Sequence, residues 1–217
     1  MKINIISSFL GLLILCSIPL SAEEVELDFV ISGGIDSARP VAVLPFSWRG
    51  TDTQPSQDVG AVIGSDLRRS GRFSPMPRHL LVQQVYQYDD VNLDLWREKG
   101  IEAVVVGSIE EQIDGRLKVS YDLVDVFQRE QELVNGELVT SSRNRLDSYA
   151  VIIDAKDLRF HAHRIADRVY EHLTGEKGAF ATRIAYVSVN KTQPKPYSLM
   201  IADSDGYAPQ ALFSSTQ

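Results

Sequence analysis

Along this chain the spacing of apolar residues changes several times, and each change marks an element. Residues 41–46, VAVLPF, are almost continuously apolar, which suits a central strand buried on both faces. Over 58–70 the spacing becomes helical: Val59, Val62, Ile63 and Leu67 share one face, and Gly71 follows the last turn. Residues 73–76 predict a short strand and 92–99 a short helix stopped by Gly100. A second buried strand is predicted over 101–109, around Ala103-Val104-Val105-Val106. Asp114-Gly115 predicts a hairpin turn, after which Leu117, Val119, Tyr121 and Leu123 alternate with Lys118, Ser120 and Asp122. Residues 132–140 and 149–153 are further strand candidates, and the polar run 49–57 predicts a loop.

The sharpest transition lies within 155–189. At roughly 100° per residue, Leu158, Ala162, Ile165, Val169 and Leu173 fall within an arc of about 80°, the apolar stripe of an amphipathic helix. Arg164, Asp167, Arg168 and Glu171 occupy the opposite face. Asp154 is placed to cap its start and Gly175 to end it in a left-handed conformation. Past Gly178 the period becomes two, with Ile184, Tyr186 and Ser188 on one side and Ala185, Val187 and Val189 on the other. Strands are predicted over 183–189, 197–203 and 209–214, the last two joined by the turn Ser204-Asp205-Gly206. A closing helix followed by a fresh all-β section divides the chain. Residues 35–175 read as an α/β domain with a mixed sheet and helices, and 176–217 as the start of a second unit.

The first residues carry a processing signal. Lys2 precedes an apolar run over 5–20, and Leu20-Ser21-Ala22 offers a small residue before a cut ahead of Glu23, making 1–22 a signal peptide. That run is shorter than the roughly 20 residues a span needs. Cleavage removes Cys16, the only cysteine, so an exported product has no disulfide to support its fold. It also removes one positive charge, taking the net charge from −7 to −8. With 22 basic against 29 acidic residues, nothing encourages binding to nucleic acid or an anionic membrane.

The predicted mature N-terminus runs Glu23, Glu24, Val25, Glu26, Leu27, Asp28, Phe29, Val30, Ile31, Ser32, Gly33, Gly34. Val25, Leu27, Phe29 and Ile31 alternate with Glu24, Glu26 and Asp28, the period of a strand. It is either an edge strand of its own domain or an arm that adds to a partner's sheet.

Catalytic patterns are absent from the sequence: no Gly-x-Ser-x-Gly elbow, phosphate loop or His-Glu-x-x-His helix. No cofactor or metal is expected. On a helix, His161 and His163 point about 160° apart, and His172 returns to the face of His161 only after about 16 Å of rise. His161 and His172 are expected to flank the apolar stripe, and His163 to face solvent. Asp203 and Asp205 are too few for a calcium loop and read as turn residues. Asn190-Lys191-Thr192 fits a glycosylation sequon. Asp66 lies inside the apolar face of its helix, where a carboxylate requires a donor. An internal ion pair, a hydrogen bond to loop backbone and a direct functional role are the readings it allows.

Five segments carry a resemblance: ISGGIDSARPVAVLPF at 31–46, SDLRRSGRFSPM at 65–76, GIEAVVVGSIE at 100–110, HRIADRVYEHLTGEKGAFATRIAYV at 163–187 and YSLMIADSDGYAPQALFSS at 197–215. In this order and spacing they resemble the TolB family, periplasmic components of the Tol–Pal cell-envelope system. The resemblance implies an anticodon-binding-like α/β domain followed by the first, incomplete antiparallel blade of a β-propeller, with the later blades missing. It implies that 23–34 engages TolA, an inner-membrane-anchored partner, and that Pal binds mainly on the missing propeller. A non-enzymatic role in outer-membrane integrity and in constriction at cell division follows from it. The alternative is the N-terminal part of an exported propeller-containing hydrolase, which the codons beyond Gln217 would distinguish.

Overall fold

The computed structural model describes residues 38–51, 53–127, 130–134, 137–141 and 144–216, all within one compact unit, Gly33–Gln217. The expected signal peptide 1–22 and the expected arm 23–34 lie outside the described residues.

The apolar run near residue 41 forms β1 (Arg39–Val43), which is followed by a short β2 (Ser47–Arg49). Asp58 caps α1 (Val59–Arg69), its Oδ1 accepting the Ala61 N–H at 2.9 Å. After β3 (Phe73–Pro75) comes α2 (Leu93–Glu98), capped by Asn92, whose side chain accepts the Asp94 N–H at 3.1 Å. The hairpin of β4 (Ala103–Glu111) and β5 (Leu117–Asp125) leads to a separate two-stranded ribbon, β6 (Glu130–Val134) and β7 (Glu137–Ser141). The chain returns in β8 (Arg145–Ile153) and enters α3 (Leu158–Thr174).

The main sheet runs β3-β1-β4-β5-β8, with β2 also on β4. β1 pairs parallel with both β3 and β4, while β4, β5 and β8 are antiparallel. It is the mixed sheet expected from the sequence. Its two faces explain the two kinds of strand. Val41, Val43, Ala103 and Val105 pack under α1 and α3, while Ala42, Leu44, Val104 and Val106 pack with Trp96 of α2. Strands buried on both sides have no polar positions to alternate with. β5 is covered on one face, so Leu117, Val119, Tyr121 and Leu123 are buried and their neighbours Lys118, Ser120 and Asp122 are half-exposed.

Three local expectations are corrected. Residues 132–140 are not one strand but parts of β6 and β7, paired from Glu130↔Ser141 to Val134↔Glu137. The Asn135-Gly136 pair between them is itself a hairpin signal. The expected loop at 49–57 begins only after β2, whose three residues pair with Ser108–Glu110 in β4 and are too few to show a period. Asp154 does not cap α3 with its side chain: a 3-10 turn, Ala155–Asp157, intervenes, and the Asp157 N–H donates to the Asp154 carbonyl at 2.9 Å.

At the far end α3 stops at Gly175, whose φ of 77° is the left-handed conformation expected of it. Beyond it β9 (Arg183–Val189), β10 (Tyr197–Asp203) and β11 (Gln210–Ser215) form an antiparallel sheet in the order β11-β10-β9. Ile184, Tyr186, Val187, Val189, Leu212 and Phe213 are exposed, and Ala202 is its one buried apolar residue among those described. Among the described residues no helix is long and apolar enough to cross a membrane.

Candidate functional site at the joint between the two sheets

Where α1 and α3 pack together, two polar side chains meet inside the apolar contact. Asp66 and His163 are 0% and 2% exposed, and Asp66 Oδ2 lies 2.6 Å from His163 Nδ1. The other Asp66 oxygen accepts from Arg69 Nη2 at 2.9 Å. Asp66 is therefore held in an internal ion pair, one of the readings its place on the helix allows.

The expectation that His163 faces solvent is overturned. Taking Leu158 as zero on the helical wheel, Ala166 falls at about 80° and His163 at about 140°. The apolar stripe alone suggests a narrow buried arc. α3 packs on the sheet along that stripe and against α1 on its flank, so the buried arc widens to include Ala166 and His163.

The turn between β10 and β11 closes over this flank. Arg159 of α3 hydrogen-bonds Asp205 through Nη2, and its Nε lies 3.8 Å from Asp203 Oδ2. Its guanidinium stacks on Tyr207 at 3.9 Å, a cation–π contact, and Nη1 donates to Gln57 Oε1 at 3.1 Å. Gln57 Nε2 in turn donates to the Tyr207 hydroxyl at 3.1 Å. Arg69 reaches Ser204 Oγ at 3.1 Å, and Ser204 donates that hydroxyl to the Phe180 carbonyl at 2.6 Å. Asp205 is a turn residue as expected, since Oδ1 accepts the Tyr207 N–H at 3.0 Å, and it is also part of the joint. Burial pushes its carboxyl up, but the Tyr207 N–H and the Arg159 charge outweigh that and hold it below the ordinary carboxylate range.

The connection between α3 and β9 is fixed as closely. Asp167 accepts the backbone N–H of Phe180 at 2.6 Å and of Ala181 at 3.1 Å. A Cβ on Gly178 would lie 2.6 Å from the Asp167 Cα, so only glycine lets the chain pass there. Phe180 packs edge-on against Tyr170, with ring centroids 5.7 Å apart.

A second polar cluster joins β8 to the outer side of α3. Asp147 accepts two hydrogen bonds from Arg168, at 2.7 and 3.0 Å, and one from the Tyr121 hydroxyl. His172 Nε2 is 3.5 Å from Asp147, and His161 is half-buried toward the start of α3, so both flank the apolar stripe as expected. Burial, then the adjacent Asp147 carboxylate, pushes the Tyr121 hydroxyl well above its ordinary pKa. In the sequon, Asn190 Oδ1 accepts from the Thr192 N–H and hydroxyl at 3.1 and 2.6 Å, closing a turn. The expected partner-binding residues, Glu23 to Gly34, lie outside the described residues.

Residues 27–132 match the family model described as the TolB amino-terminal domain. The Tol-Pal system protein TolB of Thioalkalivibrio sulfidiphilus is 36% identical over 207 residues, 95% of this chain and 44% of that protein. The protein of the same name from Hamiltonella defensa is 38% identical over 208 residues, 96% of this chain and 44% of its own. The crystal structure of TolB from Acinetobacter baumannii superposes with a TM-score of 0.66 at 30% identity, covering 85% of this chain and 40% of that one. The chain thus spans less than half the length of the relatives it matches. The likeness extends over nearly the whole chain, and it makes this chain a relative of TolB whose residues 27–132 match a TolB amino-terminal domain.

Proposed function

We propose that this chain is a non-enzymatic component of a Tol–Pal system that acts in the periplasm by binding other proteins. The observation that carries the reading is the match of nearly the whole chain to two proteins named Tol-Pal system protein TolB. Residues 1–22 act as a cleaved export signal. Residues 35–175 form the α/β domain, and 176–217 supply the first strands of a propeller blade. The antiparallel order of β9 to β11 and the apolar side chains they expose support that last assignment.

In this reading 23–34 is the arm that engages TolA, adding as a strand to its periplasmic C-terminal domain. Alternate apolar side chains supply contacts, and Glu23, Glu24, Glu26 and Asp28 favour a basic surface and make association salt-sensitive. The propeller side takes the contact with Pal, and the link to both partners supports outer-membrane integrity and its invagination at division. Calorimetric titration of the TolA domain with the chain, with and without 23–34, tests this. Loss of binding on deletion, with thermal unfolding nearly unchanged, is expected. Equal binding by the shortened chain refutes the assignment.

A further inference from the structure

His163 is satisfied on one side only. Nδ1 meets Asp66 at 2.6 Å, but Nε2 is buried and has no hydrogen-bond partner. It points toward Asp205 Oδ2, 3.9 Å away. That gap is too long for a hydrogen bond. With the Nδ1 proton donated to Asp66, Nε2 presents a lone pair. A lone pair and a carboxylate thus face each other inside the joint. Ligand-capable atoms of Asp66, His163 and Asp205 all lie within 4.8 Å of one another.

The geometry points to a site for a divalent transition-metal ion of the zinc class, bound by His163 Nε2 and Asp205, with Asp66 orienting the imidazole from behind. Such a carboxylate behind a ligating histidine fixes the ring and raises its basicity. Zinc sits about 2.0–2.1 Å from nitrogen and about 2.0–2.2 Å from a carboxylate oxygen. At a tetrahedral angle the two ligands then stand roughly 3.4 Å apart, so the observed gap needs to close by only about 0.5 Å. Water completes the coordination.

Charge favours a cation as well. Asp66, Asp203 and Asp205 face Arg69 and Arg159, three carboxylates against two guanidinium groups. Arg159 is the resident competitor for Asp205. A carboxylate oxygen has two lone pairs, so Arg159 weakens metal binding without forbidding it. The ligands come from α3 and from the turn between β10 and β11. A bound ion therefore fastens the C-terminal sheet to the α/β layers, independently of which partners the protein binds.

Zinc chloride titrated into the purified chain lacking residues 1–22, in a His79→Ala background, tests the site by calorimetry and by protection of 183–216 from protease. One saturable equivalent and slower cleavage of that segment are expected. Asp205→Asn and His163→Gln should each weaken binding by more than tenfold, and Asp66→Asn by about 10–100-fold. Arg159→Met should bind more tightly, a gain that misfolding cannot imitate. Absence of saturable binding, equal binding by Asp205→Asn and its parent, or weaker binding by Arg159→Met overturns the proposal.

Discussion

Asp66 and His163 stand 97 positions apart in sequence and share a 2.6 Å contact sealed between α1 and α3. Each is the other's reason for being tolerated in an apolar layer. Replacing Asp66 by Ala strands a buried ring nitrogen and should cost about 1–3 kcal/mol in urea unfolding. The double replacement Asp66→Leu, His163→Leu should recover part of that loss, because the buried ring nitrogen is no longer stranded and Arg69 keeps its bond to Ser204. Additive losses in the double variant would show that the two side chains do not act as a pair.

Acid should loosen α3 from β8. Burial raises the Asp147 carboxyl, but the Arg168 and then the Tyr121 hydrogen bonds outweigh it, and the net shift is downward. A carboxylate depressed in the folded state contributes stability above its unfolded pKa, about 3.9, and loses it as pH falls through the folded value. Asp205 is shifted the same way. Below about pH 4, urea midpoints should therefore fall more steeply than in Asp147→Asn. Parallel curves for the two proteins would contradict this.

Gly178 should govern how firmly the C-terminal sheet is held. A Cβ there meets the backbone of Asp167, which has no rotamer to yield. Gly178→Ala should push the connection off α3 and break the Asp167 bonds to Phe180 and Ala181. Faster proteolysis between 178 and 196, with little change in the melting of the α/β layers, is the expected pattern. Unchanged cleavage would mean that the connection adapts at no cost.

Much of this fold could be read from the sequence wherever one face of an element alone decides its pattern. β9 and β10 fall where alternation places them, and α1 where Asp58, four apolar positions and Gly71 place it. The misses share a cause. β2 exists because β4 offers it an edge, not because its three residues have a period. The joint was hidden because its members lie at 57, 66, 69, 159, 163, 203, 205 and 207, and no local count brings them together. His163 lies about 80° beyond the edge of the stripe, so only the packing of α1 reveals it as buried. One signal was present: the carboxylate of Asp66 on an apolar face demands a donor, and His163 is one of those that answers.

That residues 23–34 engage TolA is the proposal on which the functional reading turns. Hydrogen exchange of backbone amides, followed with and without the periplasmic C-terminal domain of TolA, tests it most directly, because strand addition protects main-chain N–H groups. New protection in 23–34 and little change across β1, β4 and β5 are expected. Binding that leaves exchange in 23–34 untouched while protecting another surface would contradict it.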